Sequence, residues 1–183
     1  MFLRTERLLL RPGWGEDAPA LFKAIGDERI VRNLATAPWP YRPADAESFL
    51  ATERSAADAS LLIFLRSDRE PELIGGIGFG RRQKDRTEFG YWIARRHWGR
   101  GYATEAGRAV LATARHSLRL RRVDARHFLD NPASGRVLEK LGFRSIGRIS
   151  PHYSAGRGEA APCRLFELEF GEESDVAPAA IAA

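Results

Sequence analysis

The sequence predicts a mixed α/β fold: a central sheet of about seven strands, flanked by helices, with the fourth and fifth strands parallel. Three observations carry this. Apolar runs at 61–66, 73–81 and 87–94, separated by polar turns, read as an antiparallel meander. A helix-like run at 103–118 separates the fourth strand from an alternating segment at 121–128, and a strand–helix–strand crossover returns parallel. A second helix signal at 131–142 then leads to two further strands, 143–149 and 164–170.

From the N-terminus, residues 7–11 read as a short first strand. Ala20, Leu21 and Ile25 stand at helical spacing within 16–25, and a second short helix is expected over 27–34. Closely spaced prolines between Ala37 and Pro43 mark a loop, and Pro43 suits the first position of a helix reaching Ala57. Turns at 67–71 and 83–86 join strands two, three and four. Asn131 and Pro132 suit an N-cap and the first helical position; Val137, Leu138 and Leu141 share one face, and Gly142 is placed to end the helix. In strand seven, Leu165, Glu167 and Glu169 alternate against Phe166, Leu168 and Phe170. The expected organisation is one domain over 1–171 and a weakly patterned, mobile tail over 172–183.

The most informative segment is the turn between strand four and the 103–118 helix, Arg96-His97-Trp98-Gly99-Arg100-Gly101-Tyr102-Ala103. A glycine-rich turn before a helix start points backbone N–H groups at one spot, where the helix dipole adds positive charge. That suits a phosphate or pyrophosphate. Gly99 and Gly101 remove Cβ atoms that would block close approach, and Arg96 and Arg100 add charge. No Gly-Lys-Ser/Thr follows, which excludes the phosphate loop of nucleotide hydrolases, and the third glycine of the dinucleotide fingerprint is missing.

This turn resembles motif A of the GNAT N-acyltransferases, Arg/Gln-x-x-Gly-x-Gly/Ala. The segment from Asn131 through Ser134 and Lys140 to Gly142-Phe143 is similar to motif B of that family, in the branch of the ribosomal-protein N-terminal (RimJ/RimL-like) acetyltransferases. The opening Thr5-Glu6-Arg7-Leu8-Leu9-Leu10-Arg11-Pro12 is similar to that branch's first strand. The resemblance covers most of residues 3–170. It implies a GNAT-like sheet whose parallel strands four and five splay apart at one end, with the pantetheine arm of acetyl-CoA lying between them as an added strand. By resemblance, Tyr91, Trp92, Ile93 and Ala94 would line that arm. The N–H groups of Trp98 through Ala103 would meet the pyrophosphate, Asn131 the pantetheine, and Arg136 and Lys140 the adenosine phosphates.

The implied reaction is direct attack of a primary amine on the thioester within a ternary complex, without a metal. An alkyl amine with a pKa near 10 is mostly protonated at neutral pH, so a base must take its proton, directly or through water. Glu88, at the start of strand four, is the candidate base. Ser134 is the candidate proton donor to the leaving thiolate. A strand-four N–H near Ile93 would hold the oxyanion. Tyr102 and Tyr153 are weaker alternatives to Ser134. Acceptor recognition is expected on loops, at Trp39, Tyr41 and Tyr153, with Arg157 meeting a carboxylate and Glu159 a cation. The acceptor is a protein N-terminal amine or a small amine.

Composition narrows the alternatives. The single Cys163 excludes an internal disulfide and has no base beside it in sequence to make it a nucleophile. No apolar stretch approaches a membrane span, and the first residues lack a signal-peptide core, so the expectation is a cytoplasmic protein, as monomer or homodimer. Only Lys23, Lys84 and Lys140 are lysines among 29 basic residues, and net charge is +5. The arginines are scattered rather than clustered, which argues against nucleic acid as the partner. The competing function is a non-catalytic acyl-CoA-binding or regulatory module.

Overall fold

The computed structural model describes residues 1–53, 58–67, 70–83 and 86–171. Its strands are β1 (Leu3–Arg4), β2 (Leu8–Arg11), β3 (Ser60–Leu65), β4 (Glu72–Gln83), β5 (Arg86–Ile93), β6 (Arg122–Phe128), β7 (Arg144–Ser154) and β8 (Glu159–Glu169). They form one sheet in the order β1-β2-β3-β4-β5-β6-β8-β7. The meander β3–β4–β5 is antiparallel, and β5 and β6 are parallel. Strand β1, absent from the sequence expectation, has two residues, too few to carry a period, and pairs Leu3 with Leu10.

Alternation along the strands sorts side chains into two cores. Leu61 and Ile63 of β3 join one core with α4 (Tyr102–His116) and α5 (Pro132–Lys140). Leu62 and Phe64 join the other with α1 (Ala18–Ile25), α2 (Glu28–Val31) and α3 (Pro43–Ala51). The second expected helix shortens to the single turn α2, capped by Asp27, whose carboxylate accepts from the Arg29 N–H at 2.9 Å. Helix α3 ends at Ala51: Thr52 is extended and its hydroxyl bonds back to the Ser48 carbonyl at 2.8 Å. Residues 54–57 of the expected helix, and the expected tail over 172–183, lie outside the described residues.

The largest departure is at the C-terminal end. Residues 152–159, expected as a loop, belong to a long hairpin in which β7 runs to Ser154 and β8 starts at Glu159. Pro151 and Pro162, which read as strand breakers, face each other as register partners just past the Phe128–Cys163 pair that ends β6. Strand β7 is an edge, where a missing ladder N–H is tolerated. The hairpin tip docks on the turn after α2. The Ser154 hydroxyl donates to the Leu34 carbonyl at 2.7 Å and the Ala155 N–H to that of Ala35 at 3.0 Å. Arg157, expected to meet an acceptor carboxylate, instead pairs with Asp130 at 2.8 Å and donates to the Arg32 carbonyl at 2.7 Å. That hydrogen bond from Arg157 holds the Asp130 carboxyl below its ordinary value. Cys163 is buried in β8 and its thiol is pushed up to about 11 by burial, so it stays protonated and unreactive.

Helix α4 is anchored at its first turn. Glu105 accepts from the Thr5 hydroxyl at 2.6 Å, the Arg7 N–H at 2.9 Å and the Arg7 Nε at 2.7 Å, while the Arg7 guanidinium lies 4.6 Å from the Tyr102 ring. Burial works to raise the Glu105 carboxyl, but the bonds from Thr5 and Arg7 outweigh it and leave the group below its ordinary 4.5. The anchor is therefore fully present above that value and is lost as pH falls through the lower folded value. Glu105→Ala should cost about 2 kcal/mol at neutral pH, because it strands half-buried donors, and lower Tm by about 6 °C. Thermal melts of both proteins should converge as pH falls below the lowered folded value of Glu105, where the wild-type carboxylate is also protonated.

Candidate functional site

The site begins with a gap in the sheet. Strand β5 pairs with β4 from Arg86 to Ile93, and β6 pairs with β8 from Arg122 to Phe128. Between β5 and β6 one register pair exists, Glu88–Asp124, and the strands then separate. The Ala94 N–H donates to the Ile74 carbonyl of β4 at 2.7 Å. By alternation, the N–H and C=O groups of Phe89, Tyr91 and Ile93 face the gap rather than β4. The Trp98 indole N–H occupies the Ile93 carbonyl at 2.6 Å. A cleft of about 460 Å³ fills the gap, with Trp92 and Ile93 on one wall; Ala94 is buried beside it.

At one end of this cleft lies the glycine turn. Gly99 and Gly101 have φ of +75° and +80°, the left-handed region that favours glycine. No atom stands within 4 Å of where a Cβ on Gly99 would sit, and a Cβ on Gly101 would meet only Arg7 Nη2 at 3.6 Å. The space before the 15-residue helix α4 is therefore open to a ligand, and Trp98, Gly99, Gly101, Tyr102 and Ala103 line it. The two arginines of the turn behave differently from expectation. Arg96 turns to Glu72, donating from Nε at 2.8 Å, beside the buried His97, whose Nε2 is 3.1 Å from the same carboxylate. Arg100 is absent from the cleft wall and contributes its carbonyl to Arg7 at 3.2 Å. The turn meets the cleft with backbone rather than with these guanidinium groups.

The opposite wall comes from the start of α5. Asn131 caps the helix, accepting from the Ser134 N–H at 3.3 Å. The Ser134 hydroxyl lies 3.0 Å from the Tyr91 hydroxyl of β5, so the two walls touch through this pair. Burial pushes the Tyr91 phenol up to about 12, against a smaller opposing effect of the Ser134 bond. Arg136 and Lys140 line the same cleft farther along α5.

The other end is a charged cluster. Glu88 accepts from Arg126 with both oxygens, one bond measuring 2.7 Å, and the His152 imidazole sits against Arg126 Nη1. Beyond β5 a second cavity of about 850 Å³ opens between the sheet and the α1–α3 side, and the backbone from Glu88 to Trp92 borders both spaces. Tyr41 lines this second cavity; it is buried, and its phenol is pushed up to about 12 by burial and by Asp45. Trp39 and Tyr153 are exposed and border neither cavity. The structure thus brings Glu88, Ser134, Asn131 and the glycine turn to one cleft. It adds Tyr91 as a hydroxyl partner, Arg126, His152 and His97, none of which has a local sequence signal beyond residue type.

Comparison with known proteins places this geometry. A family model described as an acetyltransferase (GNAT) domain matches residues 7–144. The chain is 32% identical over 158 residues to the uncharacterized N-acetyltransferase YoaA of Bacillus subtilis, covering 79% of this chain and 84% of that protein. It is 36% identical over 77 residues to the ribosomal-protein-serine acetyltransferase of Escherichia coli, covering 41% and 43%. Its fold matches that of RimL, a ribosomal L7/L12 alpha-N-protein acetyltransferase solved with coenzyme A, with a TM-score of 0.77 at 17% identity, over 93% of this chain and 98% of that one.

Gly101→Glu should reduce coenzyme A affinity more than 100-fold in a calorimetric titration, since it sets a carboxylate where the turn would hold a phosphate. Gly101→Ala carries the same φ strain without the charge, of about 1–2 kcal/mol, and should retain most of the affinity. Equal affinities for the Glu variant and wild type would show that no phosphate sits at this turn.

Proposed function

The chain belongs to the GNAT acetyltransferase family, and from that premise we propose that it falls in the RimJ/RimL-like branch, with the following division of labour among its residues. The enzyme is an acyltransferase that draws an acetyl group from acetyl-CoA. We infer that the acceptor is a primary amine, on a protein N-terminus or a small molecule, presented through the 850 Å³ cavity. The observation that carries this reading is the position of β5: its residues 88–92 border both the cofactor-sized cleft and the second cavity.

In this reading the gap-facing groups of Phe89, Tyr91 and Ile93 bind the pantetheine arm as a further strand would. The N–H groups from Trp98 to Ala103, with the α4 dipole behind them, hold the pyrophosphate. Asn131 contacts the pantetheine, and Arg136 and Lys140 neutralise the adenosine phosphates. Glu88 takes the proton of the attacking amine, through a water or after Arg126 releases one of its oxygens. The Ile93 N–H stabilises the charge developing on the thioester oxygen. Ser134 donates a proton to the departing sulfur. Two kinds of observation support this range of acceptors: two of the proteins named above, the ribosomal-protein-serine acetyltransferase and RimL, are ribosomal-protein acetyltransferases, and Asp45 and Glu53 border the second cavity, which suits a cationic small amine.

The test is thiol release from acetyl-CoA across a panel of polyamines, amino acids, aminoglycosides and N-terminal peptides. Acceptor-dependent release is expected, and its absence with every acceptor would overturn the assignment of these residues. Glu88→Gln should lower kcat about 100-fold, with acetyl-CoA affinity unchanged. Wild-type turnover in that variant would move the base role to solvent.

A further inference from the structure

The two walls of the cleft meet in one side-chain contact that the assigned roles leave unused, the Tyr91–Ser134 pair. Tyr91 belongs to β5 and Ser134 to the first turn of α5, 43 residues later in the chain, yet their hydroxyl oxygens are 3.0 Å apart. Both line the cleft. We propose that Tyr91 is the positioning residue for Ser134, fixing its hydroxyl so that the Oγ–H points to the sulfur leaving the thioester. This rests on the proton-donor reading of Ser134.

Two features make the phenol suitable. Its ring is held in a row of aromatics: Tyr91 lies 6.0 Å from Phe89, which stacks on Phe143 at 5.5 Å. The oxygen therefore has a fixed location, whereas a serine hydroxyl without such a partner is free to choose among its staggered χ1 positions. The phenol also keeps its proton. Burial pushes the phenol up to about 12, so it keeps a hydrogen to give; either hydroxyl of the pair can donate, and in the proposed arrangement Tyr91 donates to Ser134 Oγ, the Ser134 carbonyl at 3.5 Å being its other acceptor. With Oγ already accepting from Tyr91, the serine's own hydrogen is directed elsewhere, and the cleft is the space open to it.

The step balances as follows. The amine nitrogen forms a bond to the thioester carbon, the C–S bond breaks, and its electron pair goes to sulfur. The Ser134 hydrogen passes to sulfur, and solvent restores it to Oγ, the amine's proton having left through Glu88. Tyr91 undergoes no net change. Tyr91 reaches the reacting atoms only through its contact with Ser134 Oγ, so its part is to orient that hydroxyl.

A double-mutant cycle in turnover tests this, using the acceptor that gives the fastest thiol release in the panel above. Ser134→Ala should lower kcat at least 10-fold. Tyr91→Phe should lower kcat about 10-fold with KM for acetyl-CoA within twofold of wild type and calorimetric coenzyme A affinity retained. Adding Tyr91→Phe to Ser134→Ala should cause no further loss, because a residue acting only through Ser134 has nothing left to orient. Equal losses in the two backgrounds, or full kcat in Tyr91→Phe, would overturn the proposal while leaving Ser134 as donor. Full kcat in Ser134→Ala would overturn the donor reading and this inference with it, as would absence of turnover by the wild-type enzyme.

Discussion

Among the described residues, Glu88–Asp124 is the one register match between β5 and β6, and the site depends on what happens past it. Backbone polar groups removed from water need partners. Along β5, one side of the strand is satisfied by β4, and the other side faces a gap where β6 has turned away. In an ordinary sheet that would be a defect. Here it leaves the strand with a row of donors and acceptors at the bottom of a cleft, of the spacing an extended amide chain can match. The same pair sets the depth of the cleft, since the strands are in contact at Glu88 and apart beyond it.

Holding two strands apart requires that each be held by something else. Strand β5 is locked into the meander by β4, and β6 into the C-terminal hairpin by β8. The halves are then tied on both faces. On one face α4 crosses between them, pinned through Glu105 to the β1–β2 turn. On the other the β7–β8 tip grips the turn after α2, with Arg157 bridging Arg32 and Asp130. Helix α5 fills the wedge closely: a Cβ on Gly135 would come within 2.7 Å of His127 Nε2, so the helix start lies directly on β6. The gap is thus a packed feature of the fold, and its walls are rigid elements rather than loops.

How much of this the sequence discloses follows from range. The glycine turn, the Asn131 cap and the strand–helix–strand order are local, and patterns of a few residues report them. The Glu88 and Ser134 positions follow from those patterns by family likeness. Arg126 and Tyr91 do not, because their partners are 38 and 43 residues away and only the folded sheet sets those distances. Arg96 is the converse case. A cation in an anion-binding turn reads as a ligand, but Glu72 on the neighbouring strand claims it. The hairpin departs from the sequence expectation for a related reason. Proline and glycine between 151 and 162 are strong local breakers, and their tolerance depends on lying at a sheet edge, which single-residue propensities do not encode.

Alternation along β5 carries the chemistry to its two sides. Phe89, Tyr91 and Ile93 project to the α4–α5 face, where the aromatic row and Ser134 stand; Glu88, Gly90 and Trp92 project to the α1–α3 face. Gly90, between the carboxylate and the indole, has no atom within 4 Å of where a Cβ would sit, and its register partner across the strand pair is Gly78. The backbone is therefore bare at Gly90, whereas at Gly78 the Ala59 carbonyl covers the strand. A side chain at position 90 would project into the cavity beside Glu88, into the path by which an amine would reach the gap. An acceptor and a thioester approaching from opposite faces are then separated by one strand's thickness, and at Gly90 that strand presents no side chain at all.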